Sequence, residues 1–272
     1  MSLELFAMKN FQNKTIWITG ASSGIGEALA LEFARRWRGA KLILSARNEA
    51  ELSRVAAACE GAEVIIQPLD LAKHDQLFEI VNQVLAKVGT LDILVNNAGI
   101  SQRSLIKDTD FQVDRKMVEV NLLGTIALSK AVLPHFLKQK SGRYVVVSSV
   151  MGKIGAPLRS TYAAAKHGLH GFFDSLRAEC WRENVKVTMI CPGFIRTKVS
   201  VNALTGDGSA QGKMDDATEH GMPPEVLARK ILKAIELDKE EAYFGGKEVM
   251  AIYLKRFFPR LLSKIARKAK VT

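Results

Sequence analysis

At 272 residues, with 47% hydrophobic and 25% charged residues, the chain can fill one large packed domain or two small ones, which excludes a collagenous, low-complexity or disordered protein. Cys59, Cys180 and Cys191 are odd in number, scattered and without zinc spacing, which excludes a disulfide framework and points to a reducing, cytoplasmic compartment. The net charge is +11, but seven bases fall in the last 22 residues and no acid follows Glu248; without that tail the excess is only +4, which argues against a nucleic-acid-binding body.

Apolar β-branched runs alternate with helical patterns along the chain. Strands are expected over 15–19 and 41–45, with a helix over 24–36 between them. Asn48 should cap the next helix, followed by a strand over 63–67, a helix over 74–88 and a strand over 91–95. A long helix is expected over about 112–137, a strand over 144–148, a helix over 160–182 and a strand over 185–190. Several strands are continuous apolar runs, the mark of strands covered on both faces. Alternation at this spacing predicts an α/β fold, a doubly wound parallel sheet of about seven strands in three layers. No apolar run approaches the ~18 residues that cross a bilayer, and the first residues lack the basic start of a secretory signal.

The domain is expected to occupy 1–248, and 249–272 reads as a basic, apolar helical extension. Within the domain, the polar Gly-rich stretch at about 193–224 reads as a substrate lid or, alternatively, as a solvated connector.

Thr19-Gly20-Ala21-Ser22-Ser23-Gly24-Ile25-Gly26 joins the first strand to the first helix. Gly20 allows a sharp turn, while Gly24 and Gly26 let the backbone approach a pyrophosphate held by free N–H groups and the helix dipole. A Gly-rich turn alone is a weak signal; its place after a buried strand strengthens it. Beyond the second strand stand neutral Ala46 and Arg47, which can pair with a 2′-phosphate, so NADP(H) is favoured over NAD(H). Asp70 and Leu71 follow the third strand and are placed to meet the adenine.

Tyr162 and Lys166 are four apart in a helical pattern and share one face, and Ser149 ends the fifth strand 13 residues earlier. A phenol with a pKa of ~10 needs a nearby ammonium to work near neutrality, and a serine hydroxyl can bond the reacting oxygen. Together these features resemble the short-chain dehydrogenase/reductase family of the TGxxxGxG and YxxxK type, over about residues 14–242.

That resemblance implies a hydride-transferring NAD(P) enzyme in which Tyr162 moves the proton, Lys166 lowers its pKa and holds the nicotinamide ribose, and Ser149 orients the carbonyl. It further implies a relay asparagine at Asn121, a supporting turn at Asn97, Ala98 and Gly99, and a nicotinamide segment of Pro192, Gly193, Ile195 and Thr197. Ser23 departs from it, since many NADP-preferring members carry a base there. The stretches 160–167 and 199–209 and the basic tail resemble the dehydrogenase/reductase member 7 and 7B branch, whose membrane anchor has no counterpart before Lys14. Dimers or tetramers are the family's habit.

Apolar residues near the expected pocket, Met151, Ile154, Pro157, Phe194 and Val199, favour a hydrophobic ketone, aldehyde or secondary alcohol, and a lipid-like one is compatible. The alternatives are a non-catalytic dinucleotide sensor or scaffold and a sugar-nucleotide epimerase; the full set Asn121, Ser149, Tyr162 and Lys166 argues against the first, and the TGxxxGxG spacing against the second. No metal is expected: His167 and His170 lack a third ligand at suitable spacing, and Cys191 reads as a buried structural thiol. The tail has two readings, an interfacial segment for peripheral contact with an anionic membrane and a helical pair that roofs the pocket or meets a neighbouring subunit.

Overall fold

A computed structural model describes residues 11–267. Seven strands among them form one parallel sheet: β1 (Thr15–Thr19), β2 (Lys41–Ser45), β3 (Glu63–Ile66), β4 (Ile93–Asn96), β5 (Gly142–Val147), β6 (Val185–Pro192) and β7 (Glu241–Phe244). Their order across the sheet is β3-β2-β1-β4-β5-β6-β7. The central β1 and β4 are buried along their whole length, as their unbroken apolar runs predict.

Helices α1 (Gly24–Arg36), α2 (Glu49–Ala58) and α8 (Pro224–Glu236) cover one face around Phe33, Leu52 and Ile231. Helices α3 (Leu77–Val88), α5 (Gly124–Gln139) and α6 (Ser160–Glu179) cover the other around Val84, Phe136 and Phe173. Asn48 caps α2 by accepting from Glu51 N at 3.1 Å, as expected. The chain leaves β1 toward β2 on one side and reaches β4 on the other. A crevice therefore opens beyond the C-terminal ends of β1 and β4, where such sheets bind ligands.

Two features differ from the sequence expectation. The strand β7 follows α8 and pairs with β6, a short four-residue edge that periodicity alone does not signal. The long helix is two segments, α4 (Phe111–Val118) and α5, joined by a π-helical turn at Glu119–Leu123. No unbroken apolar run of ~18 residues occurs in the joined helix Phe111–Gln139, which Asp114, Arg115, Lys116, Glu119 and Lys130 interrupt, but one 18-residue window of it has a mean hydropathy of 1.3, enough by length and composition to cross a membrane. In this fold its Leu128, Val132 and Phe136 are fully buried in the core.

The stretch 193–224 is stapled to the body. Leu204 N donates to Ser101 O and Arg103 N to Leu204 O, both at 2.8 Å, and a short helix α7 (Asp216–Glu219) follows the buried Asp215. The tail folds as α9 (Met250–Phe257) and α10 (Pro259–Ala266), with Pro259 opening the second helix.

Candidate active site

The turn after β1 is shaped by its glycines and by Asn97. Gly20 has φ +67°, and a Cβ there would sit 2.8 Å from Ala98 Cα; a Cβ at Gly26 would sit 2.1 Å from Gly20 O. Asn97 Nδ2 donates to Thr19 O and Gly20 O at 3.0 and 3.2 Å, and Thr19 Oγ1 accepts from Asn97 N and Ala98 N. The first amides of α1 have no acceptor within the helix, and the Ser23 side chain does not cap them. Glycines that a Cβ would fill, together with a helix N-terminus, suit the pyrophosphate of a dinucleotide.

Arg47 is exposed just beyond β2. Asp70 is half-buried and turns the chain by accepting from Ala72 N at 3.0 Å, while Leu71 is buried.

Ser149 follows β5, where its Oγ accepts from Met151 N at 3.1 Å. Tyr162 and Lys166 project from the first turns of α6 into the same cleft. Lys166 Nζ donates to Val147 O at 2.8 Å and lies 5.8 Å from the centre of the Tyr162 ring. Asn121 is fully buried behind them: it accepts from Ile100 N at 2.9 Å and donates to Ile100 O at 3.0 Å. It stands in the π-helical turn, an irregularity that commonly marks functional positions. Gly99 lies between, since a Cβ there would come 2.7 Å from Asn121 Oδ1 and 3.7 Å from Lys166 Nζ.

The cleft encloses about 760 Å³ of space, its open mouth included. Ser149, Met151, Phe194 and Val199 of the expected substrate contacts line it, as do Ile25, Asn97, Gly99 and the 192–197 segment of the cofactor set. Ile154 is buried and does not line the cleft.

Burial pushes the Tyr162 phenol up, opposed by a hydrogen bond with Ser149 and then by the charges of Arg159 and Arg103. These two cations stand near the phenol in addition to Lys166, whose own pKa burial pulls down to about 8. Arg103 and Arg159 line the cleft, and both bond Asp215. Sequence reasoning named none of the three. Arg159 had a local signal, a base three residues ahead of Tyr162 at the start of a helix; Asp215 is 112 residues from Arg103 and had none.

One group of possible metal ligands stands out among the described residues: His170, Cys191 and Glu241, with ligand atoms all within 4.8 Å of one another. The two partners of His170 that spacing did not supply come from β6 and β7. Lys153 Nζ lies 2.7 Å from the same Glu241 carboxylate, burial pushes the Cys191 thiol up, and burial pulls His170 down to about 4. An ammonium therefore already neutralises the carboxylate beside a neutral thiol and imidazole.

None of the described tail residues lines the cleft. The tail is held at its base by Glu248, whose Oε1 accepts from Phe194 N at 3.1 Å, and by Lys255, which donates to Lys153 O at 2.8 Å. Phe257, Phe258, Leu261 and Ile265 remain exposed, and Lys268 and Lys270 lie outside the described residues.

The short chain dehydrogenase family model matches residues 14–207. A Drosophila melanogaster "Dehydrogenase/reductase SDR family protein 7-like" is 42% identical over 98% of this chain and 84% of its own length. A Xenopus tropicalis "Dehydrogenase/reductase SDR family member 7B" is 40% identical over 95% of this chain and 86% of its own length. Among solved structures, an alcohol dehydrogenase from the archaeon Thermococcus sibiricus, complexed with 5-hydroxy-NADP, superposes with a TM-score of 0.73. It is 28% identical and covers 86% of this chain and 97% of its own.

Proposed function

This chain belongs to the short-chain dehydrogenase family, an NAD(P)-dependent oxidoreductase family, and on that premise we propose that it interconverts an apolar ketone or aldehyde and its alcohol, with NADP(H) preferred over NAD(H). The observation that carries this reading is the convergence of Ser149, Tyr162 and Lys166 on one cleft, beside the glycine turn that suits a dinucleotide. When bound, the nicotinamide supplies or takes the hydride.

The chain's own residues do the rest. The Ser149 hydroxyl donates to the carbonyl oxygen, and the Tyr162 hydroxyl delivers the proton to that oxygen during reduction or takes it back during oxidation. Lys166 would hold the ribose hydroxyls, and Asn121 keeps the Gly99–Ile100 backbone in place behind it. Phe194, Met151 and Val199 give the substrate an apolar wall that excludes water.

Arg47 supports the NADP preference, because its exposed guanidinium follows neutral Ala46 rather than a carboxylate. Arg47→Ala should weaken NADPH by about tenfold or more and leave NADH unchanged, read by calorimetry. Equal affinity for the two cofactors, unaffected by the variant, would sink the preference.

The direction of the Tyr162 shift sets the pH dependence. A phenol held above its ordinary value by burial stays protonated through neutral pH, the form that reduction uses. Reduction should hold level through neutrality and fall as pH rises through the phenol pKa, while oxidation should climb over the same range. Profiles of kcat/KM in both directions from pH ~6 to ~11 test this, because the raised phenol titrates above its ordinary ~10; a fall in reduction below pH ~9 would contradict it.

A further inference from the structure

An apolar ketone alone leaves part of the cleft without a purpose. Arg103 and Arg159 are 9% and 6% exposed, and both line the wall that carries Ser149 and Tyr162. Guanidinium groups are rarely buried, because the cost of removing charge from water is large. Arg159 Cζ lies 5.7 Å from the centre of the Phe194 ring, so a charged face and an aromatic face meet at the same point of the cleft.

The arrangement of these cations is not what helix stability calls for. Arg159 is the N-cap residue of the 20-residue α6, and a cation at a helix N-terminus opposes the dipole. Nor does its side chain cap the helix: Gln102 Oε1 does that, accepting from Thr161 N at 3.1 Å and Tyr162 N at 3.3 Å. Both guanidiniums converge on one oxygen, Asp215 Oδ2, with Arg103 Nε at 2.8 Å and Arg159 Nη2 at 3.4 Å. Arg103 also donates to Ser101 Oγ and Gln102 O, which fixes its plane against the wall. Asp215 thus holds the Nε and Nη2 of Arg103 and the Nη2 of Arg159, which brings two cations together on the cleft wall, and guanidinium groups suit planar oxyanions.

We propose that Arg159, with Arg103 beside it, forms a subsite for an anionic group on the substrate, so that this enzyme acts on carbonyl compounds carrying both an apolar chain and a carboxylate or phosphate. The proposal rests on the oxidoreductase reading for the reacting end of the substrate, with the carbonyl at Ser149 and Tyr162. The helix dipole that opposes Arg159 favours the bound anion.

The test is a titration of the full chain, saturated with oxidised cofactor, with decanoate, decyl phosphate and 1-decanol below micellar concentrations. At least one anion should bind about 10- to 100-fold more tightly than the alcohol, and Arg159→Met should remove that difference while leaving decanol binding in place. The tighter of the two anions identifies the headgroup. Decanol binding as tightly as both anions, or an anion preference that survives in Arg159→Met, overturns the subsite. The ranking on the unaltered protein decides the matter should Arg159→Met fail to fold, and Arg159→Lys should retain only part of the preference. Turnover is read separately with a long-chain oxo acid and its methyl ester. Arg159-dependent anion binding with neither compound reduced would refute the oxidoreductase reading and leave the subsite standing. Reduction of the ester in preference to the acid would refute the subsite and leave the oxidoreductase reading standing.

Discussion

Tyr162→Phe should lower kcat by about 10²- to 10⁴-fold while cofactor affinity and thermal midpoint stay close to those of the parent protein. The substitution removes one hydroxyl and keeps the ring that packs beside Val113 and Met117. Lys166 keeps its bond to Val147 O, and the Asn121 exchange with Ile100 is untouched, so the scaffold of the site remains. What disappears is the group that Ser149, Arg159 and Arg103 act on. Single-turnover rates, with calorimetry for the cofactor, separate this loss from a binding defect. A variant within about tenfold of the parent rate would mean that another group moves the proton.

Asp215→Ala should destabilise the fold by about 3–5 kcal/mol, the usual result of stripping a buried ion pair of one partner. The Asp215 side chain is fully buried, and that of Arg103 is 4% exposed. Burial pushes the Asp215 carboxyl up, but bonds from Arg103 and Gln211 and the charges of Arg103 and Arg159 outweigh it and hold the group below the ordinary carboxylate range. A depressed carboxyl stabilises the fold above its unfolded pKa, and the gain is lost as pH falls through the lower folded value. The parent should therefore lose stability in acid over that window, and Asp215→Ala should not. Asp215→Asn, which retains an acceptor, should recover part of the loss. Denaturant unfolding measures both; a cost below ~1 kcal/mol would show that the pair contributes little.

The same substitution reaches the chemistry. Asp215 ties the 193–224 stretch to the loop after β4, and its loss frees the two guanidiniums that face Tyr162. The backbone bonds at Leu204 and the buried Asp215 hold the Gly-rich stretch against the body.

Features encoded over short separations were legible in the chain itself. Unbroken apolar runs marked the buried strands, because a strand covered on both faces has no polar side to alternate with. The Gly20–Gly26 turn was legible because sharp turning and close backbone approach need glycine at those steps. Tyr162 and Lys166 were legible because four residues make one helical turn. Tertiary structure alone decided which distant groups meet. It placed Arg103 against Asp215 across 112 residues, and gathered His170, Cys191 and Glu241 from α6, β6 and β7. It also bent the long helix through a π turn at Asn121 and gave the phenol two arginine neighbours besides the expected lysine. Helix and strand periodicities repeat within a few residues, so a linear chain displays them. Partners across the sheet are chosen by strand order and packing, which leave no spacing in the sequence to read.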